Sequence, residues 1–245
     1  MAYDNSIDWK SRLEREMPFI LSCIPSSKRV RILDIACGSG RHSVALALQG
    51  FEVVGIDHSQ TMIQIARNHA IEMGVSPTFI VADMTQIREN TSRRYDLVIC
   101  LGNSFALLEN VYVLEAVLRD IFDLLEERGS LVLQVLNFEE IHWTGFRTFP
   151  TKTGKLSNGE DITFARLFEH TNYPTSSTLV MSAFRTVDRA WTSEVSTQKV
   201  LNLNFDLMRN VLGEAGFKKV EFYSDYMRNP FDRKYSRNMI IHAAK

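Results

Sequence analysis

The chain has 245 residues, 45% of them apolar, and its 28 Lys and Arg against 29 Asp and Glu give a formal charge of −1. That is enough chain for one α/β domain with a sizeable core and an inserted subdomain. The balanced charge, without a basic block, speaks against a protein that grips nucleic acid through its phosphates, and no apolar run approaches the ~18 residues of a membrane span.

Three widely spaced cysteines, Cys23, Cys37 and Cys100, form no CxxC pair, and the polar start "MAYDNSIDWKSRLERE" is unlike a signal peptide. Together they predict a protein of the reducing cytoplasm. Residues 8–25 read as a helix with Trp9, Leu13, Met17, Ile20 and Leu21 along one face. "VRILDI" (30–35) reads as a buried strand, followed by a helix over 41–48 that Gly50 stops. "FEVVGID" (51–57) is the next strand, and Ser59 caps a helix that ends at Gly74. "TFIVAD" (78–83) and "YDLVICL" (95–101) follow as strands three and four. "VYVLEAVLRDIFDLLEERG" (111–129) has strong helical periodicity up to Gly129, and "SLVLQVLN" (130–137) is strand five. Strands alternating with helices through short links imply a parallel sheet with right-handed crossovers.

The pattern changes at residue 139. From there to 203 no helix is expected. Instead "ITFARLFEH", "TLVMSAFRTV" and "EVSTQKVLNL" alternate like antiparallel strands, separated by turns such as Ser157-Asn158-Gly159. A helix at 204–216, a strand at 217–224 and the closing "NMIIHAAK" return to the α/β pattern. The expected organisation is an α/β body, 1–138 with 204–245, and an antiparallel β insertion, 139–203, placed as a lid over the carboxyl ends of the parallel sheet.

Candidate chemistry starts at "ILDIACGSGRHS" (32–43). Gly38 and Gly40 follow strand one and open a helix, where glycine permits a tight turn and close approach of a ligand to the backbone. The third glycine of GxGxxG is absent; Ser43 holds its place. Asp34 ends the strand, where a carboxylate opposes a pyrophosphate but suits a cationic ligand. That disfavours a nicotinamide dehydrogenase and suits S-adenosylmethionine (SAM), which carries an ammonium and a sulfonium. Asp57, at the end of strand two, can accept from two ribose hydroxyls, or support the Ser59 cap. Asp83, at the end of strand three, can accept from an adenine amino group, with Met62 and Met84 covering the ring. Each acid alone is weak; three at successive strand ends form a pattern.

Over residues 30–137, "ILDIACGSGRHSVALALQGFEVVGIDHSQTMIQIA", "FIVADMTQI" and "YDLVICLGNSF" make the chain resemble the class I SAM-dependent methyltransferases. The resemblance implies a Rossmann-like seven-stranded sheet of order 3-2-1-4-5-7-6 with a β-rich insertion after strand five. It implies SAM held by Gly38 and Gly40 with Ala36 beside them. The ribose would lie on Asp57 beside His58, the adenine near Asp83 and Met84, and the methionyl end near Asp34, Leu101 and Gly102. Arg41 would reach the SAM carboxylate or remain an exposed helix-start arginine. Tyr3 and Trp9 would close over SAM, unless Trp9 merely packs its helix.

Methyl transfer needs positioning and a dry site more than a covalent nucleophile. Cys37 and Cys100 therefore read as packing residues, and the six histidines show no metal-ligand spacing. "GNSF" (102–105) lacks the Asn-Pro-Pro-aromatic signature of base-amino methyltransferases, which points to a small-molecule acceptor. "GNSFALL", "VLNFEEI" and the first helix are similar to the glycine/sarcosine N-methyltransferase-like branch. By that resemblance Asn137 and either Arg147 or Arg166 would hold an amino-acid carboxylate, with Glu139, Glu140 and His142 as candidate bases. N-methylation of an amino-acid-like amine is expected; an O- or amino-sugar methyltransferase and a non-catalytic SAM-binding regulator are the alternatives. A homo-oligomer is left open.

Overall fold

The computed structural model describes residues 7–25, 29–156, 159–187 and 190–245. Its elements, in chain order, are α1 (Trp9–Ser22), β1 (Arg31–Ile35), α2 (Arg41–Leu48), β2 (Glu52–Asp57), α3 (Gln60–Glu72), β3 (Thr78–Val81), α4 (Ile87–Asn90), β4 (Tyr95–Cys100) and α5 (Val111–Leu124). They continue with β5 (Leu125–Leu136), α6 (Phe138–Trp143), β6 (Lys152–Lys155), β7 (Asp161–Glu169), β8 (Ser176–Val187), β9 (Ala190–Leu201), α7 (Phe205–Ala215), β10 (Lys219–Tyr223) and β11 (Asn238–Ala244).

Seven strands form one sheet in the order β3-β2-β1-β4-β5-β11-β10, the expected 3-2-1-4-5-7-6 arrangement. β1 pairs in parallel with both β2 and β4, and β5 continues the parallel set beyond β4. β11 runs antiparallel between β5 and β10. The central strands are apolar on both faces because helices cover both: all six residues of β4 are buried. Phe19, Ile20, Leu46, Ile63 and Ala66 from α1–α3 pack on one side; Leu114, Leu118, Ile121, Met208 and Leu212 from α5 and α7 pack on the other. Consecutive strands run to either side of β1, so β1 sits at the switch point where a doubly wound sheet opens a crevice at its carboxyl edge.

A second antiparallel sheet, β6-β7-β8-β9, is built from the stretch that reads as inserted. Phe168, Val200 and Leu201 are buried in the same cluster as α5 and α7, which fixes the base of this sheet to the body. Two local expectations fail there. Residues 138–143 form the short helix α6, capped by Asn137, whose side chain accepts from the Glu139 N–H. β6 was not foreseen because "KTGK" lacks an apolar alternation.

Two further differences have physical causes. α5 ends at Leu124 rather than at Gly129, and 125–129 already belong to β5. Gly129 is needed for close approach: a Cβ there would stand 3.0 Å from the carbonyl oxygens of Glu126 and Tyr95. On α1 the buried residues are Glu16, Phe19 and Ile20, so the covered face is rotated from the apolar stripe. A charge is buried there because it is paired, as shown below. Of the turn expected at 157–159, Ser157 and Asn158 lie outside the described residues, as does Tyr3.

Candidate functional site

The carboxyl edge of β1 turns through three left-handed residues, Ala36, Gly38 and Gly40, with φ of 55°, 55° and 73°. The two glycines differ in purpose. A Cβ on Gly40 would stand 2.7 Å from Ala66 Cβ and 2.9 Å from the Phe79 ring, so this glycine lets α2 close onto α3 and β3. A Cβ on Gly38 would meet nothing within 4 Å: its open side faces free space, as a loop must if a ligand is to lie on it.

Asp57 holds this loop. One carboxylate oxygen accepts from the Gly38 N–H at 2.9 Å and the other from the Ser59 N–H at 2.8 Å. Asp57 thus supports the α3 start, and each oxygen retains lone-pair capacity for a hydroxyl. His58 is exposed, with Nδ1 3.6 Å from the same carboxylate. Asp34 lies beneath the loop, 3% exposed, and accepts from Ser43 Oγ at 2.6 Å. Burial pushes its pKa up to about 6, against the opposing pull of His42 and Ser43. Such an acid is poised to be ionised by an incoming cation. Cys37 packs against Gly55, and burial drives its thiol far above the thiolate range.

The next strand ends complete a continuous shelf. The Ala82 N–H bonds the Asp57 carbonyl at 3.0 Å, and Asp83 Oδ1 accepts from the Thr85 N–H and Oγ at 2.9 and 2.7 Å. Met62 and Met84 are half-buried and Leu101 is buried, while Gly102 is exposed with φ 79°. Arg41 is turned toward α3, its Nη1 3.2 Å from His69 Nε2, and lies 5.9 Å from the Trp9 ring centroid. Trp9 meets His42 edge to face at 6.0 Å, docking α1 on α2.

Beyond β4 opens a cavity of about 700 Å³. Its floor is Gln134, Leu136, Asn238 and Ile240, which share one face of the β5–β11 pair. α1 contributes Arg12 and Glu16, the segment before β6 contributes Phe149, and the second sheet contributes Lys152, Arg166 and Phe168. Arg12 Nη2 lies 3.9 Å from where a Gly102 Cβ would stand, so this cavity adjoins the shelf. Burial, then the neighbouring Arg166 and Arg12, hold the Lys152 pKa below its ordinary value.

The structure separates the acceptor candidates. Arg166 lines the cavity, its guanidinium carbon 4.5 Å from the Phe149 centroid. Arg147 does not line it; its exposed side chain pairs with Glu169 at 3.4 Å. Asn137 is fully buried and committed: its amino group donates to the Arg233 and Ser236 carbonyls, both at 2.8 Å. His142 packs on Tyr173 with centroids 3.7 Å apart, away from the cavity; burial, then the nearby His170, lower its pKa. Glu139 pairs with Arg233 at 2.7 Å and Glu140 with Arg237 at 3.2 Å. Asn137, Arg147 and His142 thus do not line this cavity, and neither do the two glutamates.

Asn103, Gln134, Lys152, Asn238 and Arg12 replace them on the cavity wall. The "GNSF" segment was the available signal for Asn103. Its Oδ1 accepts from the Leu136 N–H at 2.8 Å, which leaves the amino group on the other side.

A doubly wound sheet with a glycine loop, successive strand-end acids and an adjoining cavity is that of a nucleoside-binding enzyme. A model of the methyltransferase domain matches residues 32–129. The chain is 29% identical to the glycine/sarcosine/dimethylglycine N-methyltransferase of Actinopolyspora halophila over 91% of this chain and 38% of that protein. It is 29% identical to the glycine/sarcosine N-methyltransferase of Halorhodospira halochloris, over 91% and 79% of the two chains. The fold superposes on a sugar N-methyltransferase from a Streptoalloteichus species with TM-score 0.75 at 17% identity, covering 100% of this chain and 93% of that one. Residues 32–129 thus carry a methyltransferase domain, and these similarities support SAM as the cofactor.

Proposed function

We propose that the protein transfers a methyl group to the nitrogen of a small amine bearing a carboxylate. The observation that carries this reading is that Arg166, Lys152 and Asn103, whose oxygen is already taken by the Leu136 N–H, line one cavity beside Gly102. Guanidinium, ammonium and amide N–H groups together recognise a carboxylate and set the distance of the nitrogen attached to it. The glycine/sarcosine N-methyltransferases among the relatives act on acceptors of that kind by name.

When bound, SAM supplies a methyl group already activated on a sulfonium. The chain's own residues then have three tasks. The Gly38 loop, Asp57 and Asp83 hold the nucleoside, and Asp34 faces the cationic methionyl end. Arg166 and Lys152 fix the acceptor's carboxylate. The same positive lining lowers the pKa of an incoming ammonium and so favours the neutral amine with a free lone pair. The β6–β9 sheet forms the wall that excludes water from this cavity. Three free cysteines suit residence in the cytoplasm.

The test is incubation with SAM carrying a labelled methyl group and a panel of glycine, sarcosine, amino sugars and hydroxylated metabolites, with products identified by mass spectrometry. N-methylated amino acids are expected. Methylation of sugar amines or hydroxyls alone would replace this reading, and SAM binding without any transfer would favour a regulatory binding protein.

A further inference from the structure

Asparagine and glutamine amides have a donor end and an acceptor end, and which end faces a ligand decides what they recognise. In the cavity floor that orientation is dictated by a backbone group. The Gly102 N–H can only donate, and it meets Gln134 Oε1 at 2.7 Å. Gln134 must therefore turn its amino end the other way, where it donates to Asn238 Oδ1 at 2.9 Å. Asn238, with its oxygen occupied by a donor, must in turn present its amino group elsewhere. It lines the cavity, and among the described residues that amino group has no hydrogen-bond partner.

Asn238 stands opposite Leu136 in the β5–β11 register. Leu136 is also the residue whose N–H pins the Asn103 oxygen. Asn103 is thus locked by the Leu136 N–H and Asn238, through Gln134, by the Gly102 N–H; both residues line the same cavity with their oxygens already taken. A cavity that already holds Lys152 and Arg166 gains donors from its floor as well as from its wall.

We infer that Asn238 is an acceptor-binding residue, donating its amino hydrogens to the acceptor's carboxylate, and that Gln134 is the positioning residue that keeps it so turned. This rests on the carboxylate-bearing acceptor proposed above. It also ties the two halves of the site, because the Gly102 N–H that orients the relay lies where the SAM shelf meets the cavity.

The test uses acetate and acetamide as probes on full-length protein labelled with [15N]asparagine. The Asn238 side-chain amide signal is identified by its loss in Asn238→Asp. Acetate is expected to shift that signal in the unaltered protein. Asn238→Asp keeps an oxygen for Gln134 and so retains the fold, but turns a carboxylate toward the cavity; it should bind acetate at least tenfold more weakly. Gln134→Glu should do the same without touching the ligand. A glutamate accepts from Gly102 and can be satisfied by Asn238 only if Asn238 inverts, presenting its oxygen to the cavity. Gln134→Glu should then bind acetamide, which can donate to that oxygen, no more weakly than the unaltered protein does. An Asn238 signal indifferent to acetate, or acetate affinity unchanged in both variants, would overturn the inference. Methyl transfer to amino acids with unchanged variants would overturn this inference alone. Weakened acetate binding in a protein that methylates no amino acid would instead overturn the proposed function.

Discussion

Glu16 and His42 meet at 2.8 Å in the interior, joining the N-terminal helix α1 to the helix that begins at the glycine loop. Glu16 also accepts from Arg12 Nε at 2.9 Å. Burial acts to raise the Glu16 pKa, but His42 and Arg12 together outweigh it and leave the value below the ordinary 4.5. The pair therefore contributes stability above that ordinary value and loses it as pH falls through the depressed one. Glu16→Ala leaves His42 and Arg12 without their partner and should cost about 3–5 kcal/mol, the usual penalty for breaking a buried pair. Glu16→Gln, which retains an oxygen, should lose less. Denaturant melts measure the loss, and limited proteolysis within residues 9–22 should accelerate if α1 is the element released.

Asp34 gives the opposite sign. Its folded pKa of about 6 lies above the ordinary 3.8, so the folded chain binds this proton more tightly than the unfolded one. Stability should fall as pH rises between those two values, by about 3 kcal/mol in all, and the loss is complete above the upper one. Asp34→Asn should raise the melting temperature of the ligand-free protein at neutral pH and leave it nearly unchanged below pH ~4. Bound SAM should reverse the preference for the proton, so SAM affinity should rise through pH 6 with proton release. Calorimetry in buffers of different ionisation enthalpy measures this. A flat profile would remove Asp34 from the cationic end of the ligand.

The two loop glycines should fail differently. Gly40→Ala drives a methyl into Ala66 and Phe79 and is expected to prevent stable folding. Gly38→Ala has room and should cost about 1–2 kcal/mol for its left-handed backbone. Its methyl group would occupy the ligand's side of the loop, so SAM affinity should fall more than tenfold while the fold survives. Circular dichroism and calorimetry on both variants separate the outcomes.

Arg166→Met should raise the acceptor KM roughly 10- to 100-fold, the cost of a lost charge-assisted contact, and leave SAM affinity unchanged. Arg147→Met should change the acceptor KM by less than about twofold, since its exposed partnership with Glu169 is worth little. Steady-state kinetics on the methylated product settle the comparison; equal effects would mean that Arg147 also reaches the acceptor.

The turns at the carboxyl ends of β1 to β3 were legible because their geometry is local. Asp34, Gly38, Asp57 and Asp83 each sit where a strand ends and a turn begins, and turn residues write their geometry into neighbouring positions. The acceptor wall is not local. Asn137 follows β5 as expected, but its amide is taken by carbonyls at Arg233 and Ser236, contacts that no neighbouring residue signals. Lys152 stands opposite Phe164, placing Arg166 two residues on upon the same face. Arg147 pairs through its backbone with Phe168 yet turns its side chain out to Glu169, so side-chain direction and not strand parity parts it from the cavity. Periodicity suggests that strands alternate; it does not reveal which face meets the body. Glu16 shows the limit of reading helix faces by hydropathy, since the partner that permits its burial lies on another helix.

The last strand has a consequence for how the protein comes into being on the ribosome. The residues from Asp34 to Gly102 form one run that is synthesised before most of the acceptor cavity. The cavity floor comes later, because Asn238 and Ile240 arrive with β11, which must slide between β5 and β10 as the final element of the sheet. The floor of the cavity is therefore completed last, after Lys152 and Arg166 of its wall have already been made.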